Sequence, residues 1–382
     1  MSDTVIIMGA GASYDAGIPL MAGFVERMWE FAVRKQVDGE WLSPEDLNTF
    51  QKAIDIRNEL DSYHGRATFD DRNLEDIISI LTFDEIQRSN RSRSKSRLFW
   101  FTKAISRTIE LTCKVKHDGK NRKQEVGYVS EYSSFWAKLF YRLKSGKKWP
   151  TVISLNYDLV LERSLFHTLI GTNLLPLDNV PGVEIKYYYD AAGDFQYRIK
   201  SNEFLTGDGF KTEMGTGLVE AAVPNSVKIE ILKLHGSLNF PRTKPKESVS
   251  LVHPVDDPFI LPPMINKMSS TKPITKMWAT AIQRLRTAKN VIIVGYSLPQ
   301  TDIYMQYFLK AALGPNLNLN RIYVFDPVLF RDDETSEEMM GRYGNCFSPQ
   351  LQKRIVFKPG YQRKVYSGAF HHFVEVLDSI LF

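Results

Sequence analysis

Short runs of apolar residues recur along the chain, and each ends at a polar or glycine-containing segment. Such runs predict strands that are buried on both faces, as in parallel sheets. The predicted core strands are 5–8, 151–155, 227–234, 291–294 and 321–325. Apolar residues with helical spacing occupy 20–35, 44–62, 74–81, 99–115, 130–143, 159–170 and 302–313. The alternation of strands and helices predicts an α/β fold with a doubly wound, parallel, Rossmann-like sheet.

The stretch between the first two predicted strands is long and mostly helical. We therefore predict a large helical insertion at 36–145, with the sheet domain formed by 1–35 and 146–382. Alternating residues such as Ile185, Tyr187 and Tyr189, with a turn that contains Gly193, predict a hairpin at 183–199 on the edge of the main fold.

The first predicted strand ends in a glycine-rich turn, Gly9-Ala10-Gly11-Ala12-Ser13. Glycines allow backbone N–H groups to approach a pyrophosphate at a helix N-terminus, so Gly9, Ala10, Gly11 and Ser13 are candidate cofactor-binding residues. The dehydrogenase motif would need a third glycine where Tyr14 stands, and no acidic residue ends a strand about 20 residues later. A tight connection between strand and helix remains the alternative interpretation.

The other predicted strands also end at polar residues, and ligands bind beyond the carboxyl ends of such strands. Each of these residues has a structural alternative: an N-cap for Asn156 and Asp158, and a turn for the others. Asp326 is also placed to accept hydrogen bonds from the ribose hydroxyls of an adenosine. The polar segments are Asn156-Tyr157-Asp158, His235-Gly236-Ser237, Gly295-Tyr296-Ser297 and Asp326-Pro327.

Four of these segments, in this order, resemble the sirtuin family. They are the glycine turn with Gly17-Ile18-Pro19, Ser154-Leu155-Asn156-Tyr157-Asp158, Leu234-His235-Gly236-Ser237 and Gly295-Tyr296-Ser297-Leu298. The resemblance covers about residues 5–330 and is closest to bacterial sirtuin-like proteins of antiviral defence, in which Pro262-Pro263 and Trp278 also have counterparts.

Two departures from the deacylating sirtuins limit what the resemblance implies. Leu20-Met21 follows Gly17-Ile18-Pro19 in place of Asp-Phe-Arg, and the four zinc cysteines are absent. The resemblance therefore implies a zinc-less NAD glycohydrolase, which forms nicotinamide and ADP-ribose and acts as the effector of an abortive-infection system. A non-catalytic module that binds NAD or ADP-ribose as a sensor or scaffold is the alternative.

The resemblance also implies catalytic roles for two residues. Nicotinamide leaves NAD as a neutral ring, so the site needs only positioning and one base, and the ribose passes through an oxocarbenium-like state. Asn156 would hold the attacking water or ribose hydroxyl, and His235, with a reference pKa of about 6.5, would act as the base. By the same resemblance, Asp158 and Ile18 would hold the carboxamide, and Gly295 and Ser297 would contact ribose and phosphate.

Composition narrows the class of protein. The chain has 382 residues, 43% of them hydrophobic, and contains 2 cysteines, so a large core is expected but no disulfide framework or zinc ribbon. We find no signal peptide and no run of about 20 apolar residues, and therefore expect a cytoplasmic protein that does not bind membranes. Neither His371-His372 nor His253 with Asp256 and Asp257 has the spacing of a metal site, and we expect no metal.

The net charge of +5 has a local origin. Basic residues cluster at Arg88, Arg91, Arg93, Lys95 and Arg97, and again at Lys144, Lys147 and Lys148. A solvated loop or contact with nucleic acid, nucleotide or an acidic partner would explain them, and nucleic-acid contact is kept as a secondary possibility. By resemblance, we expect a homo-oligomer that is partnered with a HerA-type hexameric ATPase.

Overall fold

The structure is a computed structural model that describes residues 3–62, 70–87, 92, 96–115, 130–143, 148–171, 182–189, 196–200, 227–243, 250–261, 272–331, 333–357 and 368–381. Its strands are β1 (Thr4–Met8), β2 (Gln36–Val37), β3 (Glu40–Trp41), β4 (Thr151–Ser154), β5 (Gly182–Lys186), β6 (Gln196–Lys200), β7 (Val227–Lys233), β8 (Gly236–Pro241), β9 (Pro258–Ile260), β10 (Asn290–Val294), β11 (Arg321–Phe325) and β12 (Ile355–Phe357). Its α-helices are α1 (Phe24–Arg34), α2 (Pro44–Asp61), α3 (Leu74–Gln87), α4 (Arg97–Thr112), α5 (Ser130–Leu143), α6 (Val160–Gly171), α7 (Thr275–Thr287), α8 (Ile303–Leu313), α9 (Glu334–Cys346), α10 (Pro349–Gln352) and α11 (Ala369–Leu381).

Most of the described strands form one sheet, in the order β12-β11-β10-β1-β4-β7-β5-β6. The central strand β1 is parallel to β10, where Val5 pairs with Val291, and to β4, where Val5 pairs with Thr151. From β1 the chain builds β4 and β7 on one side and later β10, β11 and β12 on the other, which is the strand order of the Rossmann fold. The predicted α/β fold with a doubly wound parallel sheet is confirmed.

The apolar runs form the centre of this sheet because strands covered by helices on both faces have no solvent-facing side. Ile6 in β1, Val152 in β4 and Ile292 in β10 are each at most 1% exposed. The predicted hairpin is also present, since β5 and β6 pair in antiparallel register and β5 joins the sheet beside β7. Gly193, which is predicted to lie in its turn, is outside the described residues.

The chain divides into two compact units. The first consists of Met1–Ala16, Lys114–Phe259 and Thr271–Phe382, and the second of Gly17–Cys113 and Ile260–Ser270. The second unit thus shares 36–113 with the predicted helical insertion, but it begins at Gly17. Helix α5 falls within the predicted insertion but belongs to the first unit, where the Trp136 indole N–H donates to the Leu161 carbonyl in α6 at 3.0 Å.

Helices α1 to α4 form most of the second unit, and polar contacts fix their ends. Ser43 caps α2 by accepting a hydrogen bond of 3.1 Å from the Asp46 N–H. Of the basic stretch 88–97, Arg97 is described, and its guanidinium pairs with Asp84 and, at 2.8 Å, with Glu59. The residues Arg88, Arg91, Arg93, Lys95, Lys144 and Lys147 lie outside the described residues.

Candidate active site at the carboxyl edge of the sheet

The loops that follow β1 and β10 are in direct backbone contact. The Gly9 N–H donates to the Val294 carbonyl at 3.0 Å, and the Gly11 N–H donates to the Gly295 carbonyl at 2.8 Å. Gly295 has a φ of +61°, and a β-carbon there would overlap the backbone of Gly11 and Ala12. Glycine is required because it accepts this conformation and has no side chain to hold the two loops apart. The chain changes direction across the sheet between β1 and β10, where Rossmann folds bind dinucleotides.

The glycine turn is a single 3-10 turn at Ala10–Ala12, in place of the α-helix N-terminus that the sequence suggested. Its own bonds run from the Ala12 N–H to the Gly9 carbonyl at 2.9 Å and from the Ser13 N–H to the Ala10 carbonyl at 3.1 Å. Ala10 is exposed at its tip, whereas Ser13 is buried. The Gly9 and Gly11 amides already donate to β10 and the loop after it, so contact between this turn and a phosphate stays a prediction.

Asn156, which follows β4 by two residues, has its side chain fixed by the glycine turn. Its Nδ2 donates to the Gly9 carbonyl and to Ser13 Oγ, each at 2.8 Å. A carbonyl oxygen accepts only, so the bond to Gly9 identifies the nitrogen of the amide. Both amide hydrogens are then engaged, and neither bond uses the amide oxygen. That oxygen is an acceptor with a fixed direction in a half-buried side chain.

His235, two residues beyond β7, is oriented by the same loop. Its Nδ1 lies 3.0 Å from the carbonyl oxygen of Leu155, the residue before Asn156. Because that oxygen can only accept, Nδ1 carries the hydrogen, and the neutral ring has its lone pair at Nε2. The ring is 8% exposed, and its centroid lies 6.3 Å from that of Tyr157 and 6.4 Å from that of Trp278. Hydrogen bonds thus connect the loops after β7, β4 and β1 in one row.

Asp158 is buried, and its Oδ1 accepts a hydrogen bond of 3.0 Å from the Val160 N–H, the first residue of α6. Asp158 thus forms an Asx turn just before α6, one position ahead of the N-cap position and in place of the predicted N-cap, and contact with a carboxamide stays a prediction. Ile18 is also buried, but it belongs to the second unit, whereas the other candidates belong to the first.

The loops after β10 and β11 are also connected by hydrogen bonds along this edge of the sheet. The Gly295 N–H donates to the Phe325 carbonyl at 2.8 Å, and Arg342 Nε donates to the Ser297 carbonyl at 3.1 Å. Asp326 Oδ1 accepts a hydrogen bond of 3.0 Å from the Val328 N–H, so Asp326 caps a short 3-10 helix. Burial raises the pKa of the Asp326 carboxyl, although the bond from Val328 partly opposes this.

Several supporting residues could not be identified from the sequence. The Tyr132 hydroxyl donates to the Ala12 carbonyl, 120 positions away, and no local pattern in α5 indicates this contact. The Trp278 indole N–H donates to the Leu234 carbonyl at 3.0 Å and so holds the residue before His235. For Lys233 the sequence offers one signal, a basic residue directly after the apolar pair Ile231-Leu232 at the end of β7.

Metal-binding clusters and membrane-length helices do not occur in the described ranges. These ranges contain no group of three or more His, Cys, Asp or Glu residues that could hold a metal ion. None of their helices combines the length and apolar character needed to cross a membrane.

Comparison with known proteins adds little evidence about function to the geometry of the site. No family model matches the chain, and no curated protein matches it significantly. Among solved structures, the chain is similar to one described as Sir2Tm bound to a propionylated peptide, with a TM-score of 0.34 and 14% sequence identity. The match covers 98% of this chain and 92% of that chain. At this TM-score, the fold assignment depends on the strand order of the sheet.

Proposed function

We propose that this protein is a NAD glycohydrolase, which cleaves the bond between nicotinamide and ribose to give nicotinamide and ADP-ribose. The observation that carries the proposal is the joint orientation of Asn156 and His235. The Leu155 carbonyl fixes the tautomer of His235. The glycine turn fixes the side-chain amide of Asn156, which directly follows Leu155 in the chain. An oriented acceptor and an oriented base therefore lie on loops at the edge of the sheet where Rossmann folds bind nucleotides.

These two groups suit a hydrolysis whose leaving group needs no acid. As the glycosidic bond breaks, its electron pair neutralises the pyridinium ring, and charge develops on the ribose. Asn156 Oδ1 accepts a hydrogen bond from the attacking water and directs its oxygen at the anomeric carbon. His235 Nε2 takes the proton that the water loses, and a positioned base of this kind contributes about 100-fold to 10,000-fold in rate.

The position of three glycines supports a dinucleotide as the ligand. Gly9, Gly11 and Gly295 lie where the strand order of the sheet reverses, and open α/β sheets bind ligands there. In the proposed complex, the exposed tip at Ala10 lies next to a phosphate. Ser297 and Asp326 lie at the end that binds the adenosine ribose.

Nicotinamide release from NAD by the purified protein tests the proposal. We expect Asn156→Ala and His235→Ala each to lower kcat by about 100-fold or more. Asn320→Ala is the matched control, because Asn320 is exposed and lies next to the amino end of β11, away from the proposed site. Thermal unfolding of each variant separates loss of chemistry from loss of fold.

Two outcomes would count against the proposal, the first against its site and the second against its activity. Nicotinamide release at the wild-type rate by both variants would show that Asn156 and His235 take no part in the chemistry. NAD binding by calorimetry with no release, at high concentration of the wild-type protein, would favour the sensor or scaffold module.

On the sequence resemblance alone, the proposal extends to a role as the effector of abortive infection, restrained within an assembly. We expect a homo-oligomer in light scattering and co-purification with a HerA-type hexameric ATPase. A monomer that hydrolyses NAD at full rate without a partner would contradict this extension and leave the glycohydrolase proposal intact.

A further inference from the structure

A charged side chain lies buried beside the proposed active site without a part in the chemistry. Lys233, the last residue of β7, is 1% exposed, and its ammonium group lies 3.3 Å from Oε1 of Glu162 in α6, which is 0% exposed. The Tyr187 hydroxyl donates to the same Oε1 at 2.8 Å, while Glu162 Oε2 is buried and has no hydrogen-bond partner among the described residues. Removing two charges from water is costly, and apolar residues of similar volume often fill such a space equally well.

Lys233 provides what an apolar residue lacks, a donor for the loop that carries Asn156. Three carbonyls of this loop, 155–158, are held from one side by the segment 233–238. The pairs are Leu155 O with His235 Nδ1 at 3.0 Å, Tyr157 O with the Leu238 N–H at 2.9 Å, and Asp158 O with the Lys233 ammonium. The end of β7 therefore carries the donor that fixes the far end of the loop, and the proposed base follows two residues later.

The attachment at Asp158 matters because it fixes the loop two residues beyond Asn156. Its side chain is bonded to Gly9 and Ser13, and its backbone N–H donates to Ser154 Oγ at 3.2 Å. A loop released at Asp158 can rotate about its remaining bonds, which would turn the Asn156 amide oxygen away from the attacking water. Misplacements of this size lower rates strongly, even when the altered residue is remote from the reacting atoms.

We propose that Lys233, held in place by Glu162, is a positioning residue for Asn156 and acts through the carbonyl of Asp158. The inference depends on the proposed glycohydrolase for its effect on rate, but not for its effect on the loop. It assigns Lys233 a role that differs from packing: the side chain sets the direction of an amide on a neighbouring loop.

The test removes both buried charges together, so that neither is left unpaired. We expect Lys233→Met with Glu162→Gln to lower kcat for nicotinamide release by about 10-fold to 100-fold, with KM for NAD within about twofold of the wild type. Amide hydrogen exchange at 157–160 should become faster in the same variant. Tyr187→Phe is the matched control, because it loses a bond to Glu162 but leaves the contact between Lys233 and Asp158, and its kcat should be unchanged.

A purely structural role predicts a different result. Lower thermal stability with unchanged kcat and unchanged exchange at 157–160 would overturn the inference. If the double variant does not fold, Lys233→Gln with Glu162→Gln serves instead, because the side chain at 233 is then neutral and one bond shorter and should also release Asp158, while no buried charge is left unpaired. If the wild type releases no nicotinamide, the proposed function fails, and the exchange measurement still decides the role of Lys233.

Discussion

Gly368 lies against the carboxylate of Asp15 so closely that a β-carbon at residue 368 would overlap both carboxylate oxygens. Asp15 belongs to the segment that leaves the glycine turn, and Gly368 directly precedes helix α11. The His371 backbone N–H donates to the Asp15 carboxylate, while burial and the neighbouring Glu131 raise its pKa. The start of α11 is thus docked on the chain beside the proposed nucleotide site.

The first prediction concerns this docking. Gly368→Ala should lower the free energy of unfolding by about 1 kcal/mol, because the methyl group forces the Asp15 carboxylate away from the His371 N–H. Adding Asp15→Ala should make Gly368→Ala nearly neutral, since the overlapping group is gone. Urea unfolding of the wild type, both single variants and the double variant gives the interaction energy. Equal effects of Gly368→Ala with and without Asp15 would show that the overlap is not the cause.

Gly295→Ala should be more damaging. The substitution places a β-carbon in a left-handed backbone conformation and against the backbone of Gly11 and Ala12, so we expect a loss of about 3 kcal/mol and strongly weakened NAD binding. Gly341→Ala is the control, because Gly341 lies in α9 and a β-carbon there would have no other atom within 4 Å. That change should stabilise the protein by about 0.5–1 kcal/mol. Similar midpoints of urea unfolding for the two variants would contradict the prediction.

Asp326 should make stability depend on pH. Burial raises its pKa in the folded protein, so folding favours the protonated carboxyl. The wild type should therefore gain stability relative to Asp326→Asn as the pH falls from neutrality towards the ordinary pKa of an aspartate. Unfolding free energies measured in urea across this range provide the check.

Asp333 is the control for Asp326, with the opposite sign. It is exposed, and the hydrogen bond from Thr335 lowers its pKa, so the wild type should lose stability relative to Asp333→Asn as the pH falls. Parallel pH profiles for the two asparagine variants would be inconsistent with this assignment of the two carboxyls.

Glu230 and Arg284 form a paired contact between β7 and α7. Arg284 donates to both carboxylate oxygens, at 2.6 and 2.8 Å, and Thr151 also donates to Glu230 at 2.8 Å. Burial alone would raise the pKa of Glu230, but these bonds outweigh it and lower that pKa. Arg284→Met should cost about 2 kcal/mol in the free energy of unfolding, because it leaves the half-buried carboxylate without its cation.

Arg286→Met is the matched control for this pair, since Arg286 lies on the same helix with its side chain exposed. Its effect on the free energy of unfolding in urea should stay within about 0.5 kcal/mol. An Arg284→Met variant as stable as the Arg286→Met variant would mean that the pair contributes nothing measurable.

The sheet could be predicted from the sequence because its strands are buried on both faces. Val5–Met8 and Val291–Val294 are continuous apolar runs, and the structure places both in the centre of the sheet. The helix predicted at 44–62 is found at Pro44–Asp61, because Ser43 and Pro44 together mark a helix start.

Contacts between distant residues were not predictable in the same way. The bond from Asn156 to Gly9 spans 147 positions, and that from Tyr132 to Ala12 spans 120, so only the packing of the folded chain brings these atoms together. The same reason explains why the sequence does not indicate that helix α5 belongs to the first unit. Its apolar spacing indicates a helix, but nothing in that spacing indicates that Trp136 contacts α6 in the first unit. The residues that end a strand can be predicted from the sequence. The distant neighbours that orient those residues are harder to predict.

The central place of β1 has a consequence for biosynthesis. Thr4 leaves the ribosome long before Asn290, its partner across the sheet. Until that later segment emerges, β1 lacks a neighbour along one edge, and the glycine turn lacks the loop that closes on it. The nascent chain therefore cannot assemble the proposed nucleotide site early, and any activity of that site begins only after β10 and the loop beyond it have been synthesised.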